Sequence, residues 1–288
     1  MNFDMLGRLP PRTVGRVREL EQLCADYDGT DRNLVVGEVV SCYPDVPRYY
    51  LAWEGKKLVG ALTARAARAD TGMVSVCVHP EYRRRRIMRR LADYVTNILS
   101  WKGCRRILFA CDANSRQGKA ACHHSGLPLD HQSYLMRYTG GEVPAGEALR
   151  IRPGEPGDLL ELGRLYAAQT GQPDLLSRNM ARYVLDSKGV QCYTAWKDGE
   201  LVGACSAGTE GECITLTRPV IAPNWRERDV ERTILKTVLN EVSVQFQKPV
   251  LLGIPQENRQ VVDLYTSSNF TVQSRLDYYV CQIGKTGV

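Results

Sequence analysis

The chain has 288 residues and a net charge of +6, from 38 Lys+Arg against 32 Asp+Glu, with 43% hydrophobic and 24% charged residues. That composition is globular and excludes a wholly disordered chain, and the length suits two domains of ordinary size. No apolar run reaches the ~18–20 residues of a membrane span, and Met1–Arg8 lacks a basic stretch followed by an apolar one, so neither a membrane partner nor a secretory leader is expected.

In chain order, Val17, Leu20, Leu23 and Cys24 recur at helical spacing and predict an amphipathic helix. Tyr50–Trp53 and Leu58–Thr63 flank a turn containing Gly55 and predict a hairpin. Met73–Val78 reads as a buried strand. Ile87, Leu91, Tyr94, Val95 and Ile98 then repeat with helical period. Arg106–Ala110 is a further strand, Arg116–His124 a helix and Ser133–Tyr138 a last strand. This order implies an α/β domain, a mixed sheet flanked by helices.

The pattern then starts again. At an offset of 143 residues, Tyr50-Leu51-Ala52-Trp53 matches Tyr193-Thr194-Ala195-Trp196, and Leu58-Val59-Gly60-Ala61 matches Leu201-Val202-Gly203-Ala204. Pro80 pairs with Pro223, Arg83 with Arg226, and Ile107-Leu108-Phe109 with Val250-Leu251-Leu252. A period this long is a domain, not a solenoid unit. Two tandem domains are therefore expected, 1–143 and 144–288, divided near the Gly- and Pro-rich segment 139–146. Residues 1–144 carry 22 Lys+Arg and 15 Asp+Glu, a net of +7, and the remainder carry 16 and 17, a net of −1. An anionic ligand should favour the first copy.

The ten cysteines form no C-x2-C or C-x4-C pair, and most lie in apolar runs such as Val76-Cys77-Val78. They read as small buried hydrophobes in a reducing, cytoplasmic compartment, with no metal site.

The informative segment is Val76-Cys77-Val78-His79-Pro80-Glu81-Tyr82-Arg83-Arg84-Arg85-Arg86-Ile87-Met88-Arg89-Arg90, where a strand passes through a basic loop directly into a helix. Helix N-terminal N–H groups favour an anion. Six arginines within eight positions add charge-assisted donors for phosphate. A solvated basic helix face is the plain alternative.

Here the chain resembles the GCN5-related N-acetyltransferases, whose acetyl-CoA motif runs from a strand through V-x-P-x-Y-R into R/Q-x-x-G-x-G/A and a helix. Val78-x-Pro80-x-Tyr82-Arg83 and the helix from Ile87 match it. The turn containing Asn114, with the following helix and Gly126-Leu127, resembles the second signature. Ile221-Ala222-Pro223-Asn224-Trp225-Arg226 and Asn258…Tyr265-x-x-x-Asn269-Phe270 occupy the same places in copy two.

The resemblance implies two tandem GNAT-like domains and acetyl transfer from acetyl-CoA to a primary amine by direct attack on the thioester. It implies cofactor contacts from Val76, Cys77, Val78, Arg83, Arg84, Arg85, Arg86, Ile87, Met88, Arg89 and Asn114. The strand would supply backbone donors for the oxyanion and for the pantetheine arm. The position of the family's tyrosine acid is Cys122 in copy one and Tyr265 in copy two. For Cys122 the plain reading is a small packed helix residue.

The sequence also departs from the motif. The loop glycines are replaced by Arg86 and Met88 in copy one and by Asp229 and Glu231 in copy two, with Glu227 nearby. A carboxylate ~4 Å from a phosphate charge repels it by about 1 kcal/mol in water and about 4 kcal/mol at intermediate dielectric. Copy one is thus the expected cofactor site and copy two a structural or substrate-shaping partner. No general base stands out; His79 and Glu81 flank the loop, and His123 and His124 follow Cys122. The acceptor is a small-molecule or peptide amine, and the chain a monomer or homodimer. A catalytically inactive CoA sensor or interaction module is the alternative. Nucleic acid is disfavoured, because basic and aromatic residues are not interleaved.

Overall fold

The computed structural model describes residues 1–31, 41–144, 146, 148–209, 212–226 and 229–284. In chain order it contains β1 (Asn2–Leu6), α1 (Pro11–Asp28), β2 (Tyr49–Glu54), β3 (Lys57–Arg68), β4 (Thr71–Val78), α2 (Ile87–Trp101), β5 (Arg106–Asp112), α3 (Arg116–His124) and β6 (Leu129–Tyr138). Then follow β7 (Arg150–Pro153), α4 (Leu159–Thr170), α5 (Asp174–Asp186), β8 (Val190–Lys197), β9 (Glu200–Gly208), β10 (Ile214–Leu216) and β11 (Val220–Ile221). The last elements are α6 (Val230–Phe246), β12 (Val250–Pro255), α7 (Arg259–Thr266) and β13 (Phe270–Gln282). The α/β class with mixed sheets holds. The sequence reading missed β1, β7 and α5.

Local chemistry sets the element ends. α1 stops where Gly29 takes a left-handed conformation (φ 65°) and returns its N–H to Ala25 O. Ser115 Oγ accepts the Gly118 N–H at the start of α3, and Asn258 Oδ1 accepts the Val261 N–H at the start of α7. Apolar residues at helical spacing turn one face of each long helix inward. In α2 these are Ile87, Leu91, Val95 and Leu99, and in α6 Val230, Ile234, Leu235, Val238, Leu239 and Val242. Each such side chain contributes roughly 1.5–3 kcal/mol when fully buried.

The repeated glycine of the hairpin has a packing role in both copies. A Cβ on Gly60 would lie 2.7 Å from Ile87 Cγ2, and one on Gly203 would lie 2.6 Å from Ile234 Cδ1. Glycine there lets α2 and α6 seat directly on β3 and β9.

The chain forms two compact units, and they do not divide at residue 143. The first takes the N-terminal segment, Tyr43–Gln132 and the chain from Ser274; the second takes Ser133–Gln273. Strand order in the first is β1-β2-β3-β4-β5-β13, and in the second β6-β12-β10-β9-β8-β7, with β11 also on β9. Leu276–Gln282 of β13 pair antiparallel with Arg106–Asp112 of β5. Ser133–Arg137 of β6 pair antiparallel with Leu251–Pro255 of β12. Each repeat thus gives most of its last strand to the other unit, which no sequence offset reveals. In the first unit α1 packs on β2 and β3 through Val17, Leu20, Cys24, Leu51 and Ala61. The core of the second unit gathers α6 and α7 on β8, β9, β10 and β12.

Candidate active site

The β4 strand pairs with β3 along its whole length, from Thr71↔Arg68 to Val78↔Gly60. Its parallel ladder to β5 covers only Thr71–Ser75 against Arg106–Ala110. Beyond Ser75 the strands part, and Val76, Cys77 and Val78 present one backbone edge to the opening. Peptide groups on such an edge pair readily with an extended ligand.

The opening leads to the basic loop. Pro80–Tyr82 make a single 3-10 turn, and His79 Nδ1 accepts the Glu81 N–H at 3.3 Å. Burial, followed by the Lys57 cation, holds His79 below the usual imidazole range, so it serves as a neutral acceptor. Arg83 is already committed. Its Nη1 and Nη2 donate to both Asp28 oxygens, at 2.7 and 2.9 Å, and its Nε donates to Val78 O at 3.0 Å. This bidentate clamp ties the loop to the end of α1. The sequence placed Arg83 among the cofactor contacts, whereas its donors face inward, toward Asp28 and Val78.

Arg84 and Arg86 both adopt left-handed backbone (φ 62° and 60°). For a residue with a Cβ this costs about 1–2 kcal/mol each. Arg86 occupies a glycine position of the motif and takes the glycine conformation. Met88, the other expected glycine position, lies inside the first turn of α2 and needs no such geometry. The second left-handed residue is instead Arg84. Strain of this kind is retained where surrounding structure imposes it, commonly at ligand sites. Arg86 precedes α2 without offering a side-chain cap, so the first helical N–H groups receive none from it. The side chains of Arg84, Arg85, Arg86 and Arg89 are exposed around them, with the Arg85 guanidinium 4.7 Å from the centre of the Tyr82 ring.

The second signature is built differently from its sequence reading. Ser115, not Asn114, caps α3; Asn114 is exposed and its N–H donates to Asp112 Oδ1 at 2.7 Å. Cys122 is buried on the inner side of α3, 4% exposed. Burial pushes its thiol up to about 11 and that of neighbouring Cys111 up to about 12. Both remain protonated at neutral pH and act as packing between α3 and β5. His123 lies edge-on to Tyr279, centroids 5.6 Å apart, and His124 is exposed.

In the second unit the equivalent of β4 is interrupted. Leu216 pairs with Ala207 and Val220 with Ala204, so four steps on one side face three on the other. That is a β-bulge at Thr217–Pro219. Pro219 stands at the repeat position of Val76 and has no N–H. Arg218 Nε and Nη2 donate to Glu231 Oε1 and Oε2 at 2.9 and 3.0 Å, and Tyr265 OH donates to Glu231 Oε1 at 2.9 Å. Burial first, then the Glu231 charge, raises Tyr265 well above the usual phenol range. The backbone at Gly146 lies against the start of α6, where a Cβ would sit 2.4 Å from Asp229 O. The place that holds a basic loop in copy one therefore holds an internal ion pair and a strand of chain. Glu227 lies outside the described residues. Among the described residues no group of three or more His, Cys, Asp or Glu side chains is placed to hold a metal, no helix is long and apolar enough to cross a membrane, and none of the ten cysteines is in a disulfide.

Known proteins share this architecture. Residues 16–127 match the acetyltransferase (GNAT) family model. A GCN5-related N-acetyltransferase from Sphaerobacter thermophilus superposes with a TM-score of 0.69 at 16% identity, covering 98% of this chain and 96% of its own. A tandem GNAT protein from the clavulanic acid biosynthesis pathway, solved without AcCoA, gives 0.67 at 16% identity, covering 99% of each chain. A GNAT-family acetyltransferase from Colwellia psychrerythraea gives 0.61 at 13%, covering 98% of this chain and 100% of its own. No curated protein sequence matches the chain. The stretch 16–127 thus resembles the GNAT family in sequence, and the chain as a whole shares the fold of these proteins, a tandem GNAT protein among them.

Proposed function

We propose that this protein is an N-acetyltransferase that binds acetyl-CoA on its first repeat and acetylates a primary amine. The observation that carries the reading is the end of the β4–β5 ladder at Ser75/Ala110, opening toward the uncapped start of α2 through a loop with two left-handed arginines. The backbone edge of Val76–Val78 suits the amides of a pantetheine arm. The N–H groups of Ile87, Met88 and Arg89, with the exposed cations of Arg84, Arg85 and Arg86, suit a diphosphate. Arg83 and Asp28 hold that loop in shape, and Asn114 borders the α3 side. The second repeat, with Pro219 in its strand and the Arg218–Glu231–Tyr265 network at its helix start, serves as a structural or substrate-shaping partner. Neither Cys122 nor Tyr265 is assigned a proton-transfer role. Ten cysteines outside any disulfide suit a reducing compartment.

Calorimetric titration of acetyl-CoA into the wild type and an Arg85→Ala/Arg86→Ala variant tests this. One site, weakened at least tenfold in the variant, is expected. Two sites, or one indifferent to the variant, would refute the assignment to copy one. Binding without release of thiol in the presence of any primary amine would make the protein a CoA sensor.

A further inference from the structure

Resting on the acetyl-CoA reading above, we propose that His131, oriented by Asp130 and seated on Tyr278, is the general base that deprotonates the amine acceptor. Sheet register carries the argument. The row Thr63–Ser75–Ala110–Tyr278 crosses β3, β4, β5 and β13. Ser75↔Ala110 is the last pair before β4 and β5 part, so the row meets the opening at its closed end, where an acyl group on an arm laid between the strands would stop. Tyr278 is next in line. It packs with Leu108, Ala110, Leu276, Val280 and Met73 on one face of the sheet. Its distance from the β4 backbone is two strand spacings, about 10 Å.

The His131 ring lies flat on Tyr278, with centroids 4.5 Å apart and planes 10° apart. Its Nδ1 is 2.7 Å from Asp130 Oδ2. An ionised carboxylate can only accept, so Nδ1 carries the proton and Nε2 keeps its lone pair. Arg106 in turn holds Asp130 at 3.4 Å and donates from Nε to Thr71 Oγ1 at 2.9 Å, linking the dyad to the start of β4. The charged and titratable groups facing this ring are therefore Asp130, Arg106 and Tyr278, with Arg65 acting electrostatically on Tyr278. The His131 side chain is 28% exposed, so solvent reaches the dyad. Over two strand spacings the base acts through a short chain of waters.

The step balances. An alkylammonium R–NH3+ gives one proton to His131 Nε2, and the resulting imidazolium is paired with Asp130. The neutral nitrogen attacks the thioester carbonyl, forming the C–N bond. The C–S bond breaks, the electron pair leaves on sulfur, and the second nitrogen proton neutralises the thiolate. His131 then returns its proton to water.

The test compares two small nucleophiles, ethylamine, which is protonated at pH 7, and hydroxylamine, which is neutral there. Thiol release from acetyl-CoA is measured for the wild type, His131→Asn and Asp130→Asn, with calorimetric acetyl-CoA binding on the same samples. Both variants should bind acetyl-CoA within about twofold of the wild type and lose ethylamine transfer by about 10²–10⁴-fold, while hydroxylamine transfer stays within about tenfold. Asp130→Asn acts by reversing the imidazole tautomer, which a merely structural change would not mimic selectively. Equal losses with both nucleophiles, no loss with either, or binding with no transfer in the wild type would overturn the proposal and leave the cofactor reading standing. Absence of acetyl-CoA binding to the wild type would overturn both.

Discussion

In the first repeat β4 runs unbroken from Thr71 to Val78, whereas in the second the same stretch stops at Leu216 and resumes at Val220. Both repeats keep the glycine that seats a helix on the hairpin, Gly60 and Gly203, and both keep the apolar stripe of that helix. The scaffold is preserved by packing, which tolerates no Cβ at those glycines. The polar machinery above it is not tied to packing and has diverged. Copy one accepts backbone strain at Arg84 and Arg86 and starts α2 without a side-chain cap. Copy two instead ties an arginine, a carboxylate and a phenol together at its helix start, through Arg218, Glu231 and Tyr265.

Five substitutions would break or sharpen this contrast. The largest effect is expected from Val76→Pro, which gives copy one the residue of copy two and breaks the β4–β5 ladder where the opening begins. Acetyl transfer should fall about 10²–10³-fold with circular dichroism unchanged, while Pro219→Val leaves transfer as it was. Equal effects of the two would erase the asymmetry. Asp28→Asn comes next. It breaks a bidentate charge-assisted pair and frees the loop, so acetyl-CoA should bind about tenfold more weakly in calorimetry and stability should drop by about 1.5–3 kcal/mol in urea unfolding. Glu231→Gln should cost only about 1 kcal/mol, because Arg218 is 40% exposed and water takes over part of the lost pairing, and transfer should not change. The smallest effect is expected from Arg86→Gly. Relief of left-handed strain should raise stability by up to about 1 kcal/mol, visible as a small rise in melting temperature, while acetyl-CoA affinity falls slightly with the lost cation.

Much of this was legible in the residues. The offset of 143 exposed the repeat, hydrophobic period located α2 and β4, and the run from Val78 to Arg86 marked the loop. The motif also indicated where glycine conformations would be demanded, and Arg86 meets that demand. The fate of Arg83 was not legible, because Asp28 lies 55 positions away and only the packing of α1 brings it near. The His131–Tyr278 stack was hidden for the same reason: its partners are 147 positions apart and meet only through the strand that the second repeat lends to the first unit.

Sequence by itself determined what depends on neighbours along the chain: the repeat, the class of each element, the glycines that admit a helix and the charge of each loop. Tertiary structure alone decided which strand completes which unit, which arginine is spent on a carboxylate, and which thiol or phenol is sealed from water. The physical reason is range. Helical and strand periods, caps and turns are set by contacts a few residues long. Pairing across a sheet and the burial of a polar group depend on partners that the chain brings together only when it is folded.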